Sequence, residues 1–239
     1  MMLTEPVMLY AATRQIYLNE KVDWADSTKQ HIIKSRKWVI SPERLDPIVN
    51  GSEPNPLRYI TQRVGDGYEG GGYFFPIYDP AGLCPMAQIR WSKPSLHKAM
   101  KTMFIGTASE MNGPKWCGMT QETVRQIMER RQLLLVEGPF DQMACRVALG
   151  SDYPVVSCFG SLLTHQHIQD LQILGVRKIV LMFDADEAGE RGAKILRDKA
   201  LPFRVEKLKC PASDPSDCLQ DERTFRTLSN LLKNQCKKI

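Results

Sequence analysis

No apolar run in the 239-residue chain reaches the roughly 18 to 20 residues that a membrane-crossing helix needs. Nor does the N-terminus show a charged stretch leading into an apolar core, so no signal peptide is expected. The 7 cysteines are scattered without a CxxC pair, which argues against a zinc ribbon and against a disulfide framework. Cys210 and Cys218 flank a loop, but no matched ligands accompany them, and free thiols are the expectation. A reduced, cytoplasmic setting without membrane contact fits these absences. A phosphate-cradling GxxxxGK[ST] loop is missing too. Charge of one sign is in modest excess: a net charge of +5 permits nucleic-acid binding without demonstrating it. With 43% hydrophobic residues, the chain can build one large domain or two small ones.

What the chain does have is a repeated phrase. Leu133-Leu134-Leu135-Val136 runs into Glu137-Gly138, then Asp141, and a helical pattern begins. Lys178-Ile179-Val180-Leu181-Met182-Phe183 likewise runs into Asp184-Ala185-Asp186, then Gly189 and a helix. Short apolar runs of this kind suit strands buried on both faces of a parallel sheet. Ligands of open α/β sheets bind beyond the carboxyl ends of the strands. If the two strands are neighbours, Glu137, Asp184 and Asp186 converge there, and their carboxylates repel unless cations sit between them. This predicts a magnesium site.

Around these phrases the elements follow in regular order. Thr120-x-x-Thr123 opens a helix to about Arg131, and a helix over Pro139 to Leu149 is closed by Gly150. A strand at Val155 to Cys158 leads through Phe159-Gly160-Ser161 to a helix capped by Thr164. A helix from Ala188, a strand at Phe203 to Lys207 and an amphipathic C-terminal helix complete the chain. Helices between consecutive strands imply a parallel sheet with right-handed crossovers. Upstream, Tyr73 to Tyr78 and Met86 to Trp91 flank Asp79-Pro80-Ala81-Gly82 and form a hairpin. Met8 to Leu18 reads as a helix, 50–56 and the glycine-rich 65–72 as loops, and Ser41-Pro42 as a helix start. His31 to Trp38 is apolar and basic, either a basic stretch of functional use or part of a helical cap.

Between Gly82 and Lys115, Arg90, Lys93, Lys98, Lys101 and Lys115 face a single acid, Glu110, and Trp91, Phe104 and Trp116 are interleaved. Basic residues that track phosphates beside rings that stack on bases make a single-strand groove; a solvated face over core aromatics is the alternative. His165 and His167 point apart on a helix and are surface or capping residues, not metal ligands.

The pairing of Glu137-Gly138 and Asp141 with Asp184-x-Asp186 and Gly189 resembles the signature of the Toprim domain, shared by primases, topoisomerases, OLD-family nucleases and recombination-repair proteins. Phe75-Pro76-Ile77-Tyr78-Asp79-x-x-Gly82 resembles the hairpin that precedes Toprim in bacterial and phage primases. The resemblance implies an α/β Toprim fold with a parallel sheet flanked by helices, preceded by a smaller α+β N-terminal subdomain. The expected division is 1–130, a basic primase-core-like subdomain, and 131–239, the metal-binding domain with its C-terminal helix. It further implies metal-dependent primer synthesis on single-stranded DNA, of phage or plasmid type, with Mg2+ or Mn2+ held by Glu137, Asp184 and Asp186. Asp214 of Asp214-Pro215-Ser216-Asp217 resembles the primase Asp-Pro-x-Asp acid and joins Asp141 around the metal, with Asp217 a weaker match; Asp-Pro as plain turn chemistry is the alternative. Neither the zinc-binding nor the helicase module of such primases is recognised, so a replicative helicase or a separate zinc-bearing subunit is the expected partner, beside template and nucleotides. A Toprim-type nuclease and a non-catalytic nucleic-acid-binding subunit are the competing readings. A topoisomerase is disfavoured, since no further domain carries a tyrosine nucleophile.

Overall fold

The structure is a computed structural model that describes residues 24–46, 58–60, 72–82, 86–91, 102–105, 112–150, 153–198 and 202–236. The expected helix over Met8 to Leu18, the loops at 50–56 and 65–71, and Lys93, Lys98 and Lys101 lie outside these residues.

The chain enters through helix α1 (Trp24–Arg36) and a single 3-10 turn (Pro42–Leu45) with Pro42 at its start. An antiparallel sheet follows, β1 (Arg58–Ile60), β2 (Gly72–Ile77), β3 (Met86–Trp91) and β4 (Thr102–Ile105), in that spatial order. The β2–β3 hairpin is as expected, with Gly82 at φ 76 closing the turn onto Asp79. β1 and β4 were not foreseen, whereas α1 falls partly on the stretch from His31, where a helical cap was one of the two readings, and begins earlier. The two strands are 3 and 4 residues long and are defined by their pairing partners instead of by any periodicity of their own.

The second half is α2 (Gln121–Arg130), β5 (Gln132–Val136), α3 (Pro139–Leu149), β6 (Val155–Ser157), α4 (His165–Ile173), β7 (Lys178–Leu181), α5 (Glu187–Asp198), β8 (Arg204–Lys207), a 3-10 turn (Asp217–Gln220) and α6 (Glu222–Cys236). Local chemistry sets the boundaries. The Thr120 hydroxyl accepts from Thr123 N at 3.1 Å, Arg131 closes α2 in the left-handed region, and Thr164 caps α4 through His167 N. Proline stands at the first position of α3, where its missing N–H costs nothing.

β6, β5, β7 and β8 form the expected parallel sheet, with β5 and β7 adjacent in its middle. Side chains alternate across it. Leu134, Val136, Val180 and Met182 enter one core with α3 and α6, while Leu133, Leu135, Ile179 and Leu181 enter another with α2 and α4. The first core also takes Ile32, Leu45, Tyr73 and Phe75, so the N-terminal layer packs directly on the parallel sheet. Trp116 and Cys117 join the two sheets through hydrogen bonds: Tyr78 N donates to Trp116 O, and Cys117 N to Ser157 O.

Candidate active site

Adjacency of β5 and β7 decides the geometry. Leu135 pairs with Leu181, so the residues that follow each strand leave the sheet side by side. The Asp184 N–H donates to Glu137 Oε1 at 3.1 Å, which ties the two strand ends together. Asp184 Oδ1 is buried and accepts no hydrogen bond. Asp186 is exposed on the rim, and its Oδ1 accepts from Gly189 N at 2.8 Å, so it caps the start of α5. Asp141 is 7% exposed, and both its oxygens are engaged: Oδ2 by Gly138 N at 3.1 Å and Oδ1 by Ser216 N at 3.2 Å. Asp214 is half-buried, with Oδ1 accepting from Asp217 N at 2.6 Å. Asp217 points elsewhere, to Ser213 and Gln220.

Glu137, Asp141, Asp184 and Asp214 line one cleft of about 380 Å³, together with Arg36, Arg90 and the ring of Phe140. Burial, then repulsion from Asp184, lifts the Glu137 carboxyl to about 7. Burial, then Asp214 and Asp186, lifts Asp184 to about 6. Asp141 rises to about 8 for the same reasons, against the pull of its backbone donors. Asp214 is raised as well, first by burial. Such shifts mark carboxylates crowded in a low-dielectric site.

Cations stand on the facing wall. The Arg36 guanidinium lies 3.5 Å from the centroid of Phe140, and Arg90 lies 5.5 Å from it. Each lowers the charge cost of the acids: Arg36 faces Asp141 and Asp214, and Arg90 faces Asp184. Arg36 was not among the expected site residues. It closes α1, and only the packing of that helix on Phe140 brings it to the acids; the basic stretch at its end was the sole sequence signal.

Of the expected nucleic-acid contacts, Arg90 lines the cleft, and the Lys115 ammonium lies 5.4 Å from the centroid of the Phe104 ring. Trp116 is a correction. It is fully buried, its Nε1 donates to Asp170 Oδ2 at 2.9 Å, and its ring meets His167 edge-on, so no base can stack on it. His167 is a buried capping residue, neutral because burial lowers it to about 4, and is bonded to Thr164 and to the Lys115 backbone. His165 is exposed. All of Cys117, Cys145, Cys158, Cys210, Cys218 and Cys236 are free thiols, as expected for Cys210 and Cys218.

Residues 132–210 match the family model of the Toprim domain. This stretch is a Toprim domain. A DNA primase of Chlamydia pneumoniae is 29% identical over 115 residues, 46% of this chain and 19% of that protein. The primase of Aquifex aeolicus, solved with its zinc-binding and RNA polymerase domains, shares the fold at TM-score 0.60 and 19% identity, over 84% of this chain and 55% of that one. A DnaG primase catalytic domain bound to single-stranded DNA does so at TM-score 0.55 and 21% identity, over 91% and 77%. The chain thus spans about a fifth of the length of the curated relative it matches. Its fold is that of a primase catalytic core, with the Toprim domain supplying the parallel sheet and the acids at its edge.

The donor set suits a hard divalent cation. Magnesium takes oxygen ligands and is commonly held by one or two carboxylates, with water and substrate phosphates completing the shell. Among the described residues no three His, Cys, Asp or Glu side chains close into a metal cage by themselves. The unpartnered Asp184 oxygen beside Glu137 matches the sparser magnesium pattern.

Proposed function

We propose that this chain is a primase-type nucleotidyltransferase that makes short primers on single-stranded DNA with Mg2+ or Mn2+. One observation carries the reading: Glu137 and Asp184 stand side by side at adjacent strand ends, facing Arg36 and Arg90 across one cleft. Crowded acids opposite arginines are what a site for metal-bound polyphosphate requires.

Asp184 and Glu137 would hold the metal, Asp214 would complete the set from the opposite loop, and Asp186 would contribute from the rim. A divalent cation held by these carboxylates would supply Lewis-acid stabilisation of the charge that develops in nucleotidyl transfer. Asp141 holds the Asp214 loop against the start of α3 by its two backbone hydrogen bonds. Glu137 would either share the metal or take the proton from a 3′-hydroxyl. Arg36 and Arg90, both held beside the ring of Phe140, would orient phosphates. Lys93, Lys98, Lys101 and Lys115 would contact template phosphates. The relative bound to single-stranded DNA supports that substrate, and the zinc-binding domain of the Aquifex primase supports a role for a zinc-bearing module. In this reading 131–239 is the metal-binding unit and 1–130 the template-binding one, working with a replicative helicase in the cytoplasm of a bacterium, in phage or plasmid replication.

The test is incubation with labelled nucleotides and single-stranded DNA of several sequences in Mg2+. Labelled primers complementary to the template are expected. Shortened template without primers would establish a nuclease instead, and binding without either product a non-catalytic subunit.

A further inference from the structure

The wall opposite the acids carries groups that metal and phosphate binding leave unused. Side chains two apart on a strand share a face, so β3 turns Gln88 and Arg90 the same way. Their direct partners on β4 are Phe104 and Thr102, and all four line the cleft. Gln88 is 5% exposed, and its Oε1 is buried without a hydrogen-bond partner. A buried amide oxygen left unpaired is costly, and one that lines a cleft points to a donor on a ligand. That donor is not a phosphate, which offers only acceptors.

Beside Gln88, Phe104 meets Phe159 edge to face, with centroids 5.9 Å apart and planes at 75°. Both rings are half-buried, so part of each remains open to the cleft they line. Phe159 sits at φ 56, a conformation that bulky residues rarely adopt. Its strained backbone sets the ring at the end of β6, and strain of this kind gathers at ligand sites. Aromatic surface with an amide acceptor beside it matches a planar heterocycle bearing an amino group.

We propose that Gln88, Phe104 and Phe159 form a nucleobase subsite, in which the rings pack on the base and Gln88 Oε1 accepts from its exocyclic amine. The subsite rests on the reading of the cleft as a nucleotide site. Adenine, cytosine and guanine carry such an amine, whereas uracil and thymine do not. The base belongs either to an incoming nucleotide or to the DNA strand, and the two are separable by binding.

Calorimetry in Mg2+ would compare CTP with UTP in one arm, and oligo(dC) with oligo(dT) in the other, for the wild type, Gln88→Leu and Phe104→Leu. A preference of roughly tenfold for the cytosine ligand is expected in the arm that supplies the base. Gln88→Leu should erase that preference while the melting temperature holds or rises, because the unpaired oxygen is gone. Phe104→Leu should weaken cytosine and uracil or thymine ligands alike by roughly tenfold. Should Gln88→Leu fail to fold, Gln88→Met takes its place. No preference in the wild type, or a preference that survives loss of the amide, overturns the subsite and leaves primer synthesis standing. Failure of the wild type to bind any of these ligands overturns the nucleotide reading of the cleft itself.

Discussion

At Gly189 helix α5 lies against the strand ends so closely that a Cβ would sit 2.2 Å from Asp184 O and 2.8 Å from Glu137 Oε1. The carbonyl is backbone and cannot swing aside. Gly189→Ala should therefore destabilise the protein by about 1–3 kcal/mol and spread the two acids apart. Urea unfolding measures this, and a change within a few tenths of a kcal/mol would show that the strand end yields freely. Glu137 and Asp184 were legible because each ends a buried run, and the sheet period leaves little choice about where such residues go. Asp186 was read only as a metal ligand, and its cap on α5 emerges from the structure. Trp116 was misread because a lone tryptophan among lysines has no periodicity to say which way it faces. Its burial is decided by Asp170 and His167, more than 50 residues away.

Between elements, Asp141 is the clamp. From the first turn of α3 it holds Gly138 N with one oxygen and Ser216 N with the other, which seats the loop that carries Asp214. Asp141→Asn leaves one acceptor where two are needed, so one buried N–H loses its partner at a cost of about 1–3 kcal/mol. Hydrogen exchange should then quicken at Ser216 or Gly138; unchanged protection at both would deny the clamp. The resemblance placed Asp141 among the metal acids, and only the structure shows its oxygens taken up by the backbone. Helices α2, α3 and α4 were legible to within a residue or two because their caps are written locally, in Thr120, Pro139, Gly150 and Thr164. Strands β1 and β4 were not, since strands this short exist through their neighbours.

Over the whole molecule, crowded acids make stability depend on pH. Folded, Asp141 and Glu137 hold their protons to about 8 and 7, against ordinary values of 3.8 and 4.5. The unfolded chain releases those protons earlier, so the folded state binds more of them, and stability falls as pH rises through the folded values. His167, lowered to about 4 from 6.5, acts in the opposite sense only below 6.5. Metal-free protein should thus melt at a lower temperature at pH 8 than at pH 6.5, and Mg2+ should narrow the gap; a melting temperature that rises over this window would contradict the electrostatic picture. Template binding belongs to the same scale. If Lys98 and Lys101 contact phosphates, their replacement by Ala should flatten the salt dependence of single-stranded DNA affinity by about one unit per lost contact, and an unchanged slope would return them to a solvated face. The central claim is that Glu137 and Asp184 hold the metal for nucleotidyl transfer, and Asp184→Asn tests it most directly, because it keeps the side chain's shape and removes one charge. In a primer-synthesis assay in Mg2+, with DNA binding measured alongside, the variant should lose activity by orders of magnitude while binding DNA as well as or better than the wild type. Primer synthesis by Asp184→Asn at the wild-type rate would contradict the account.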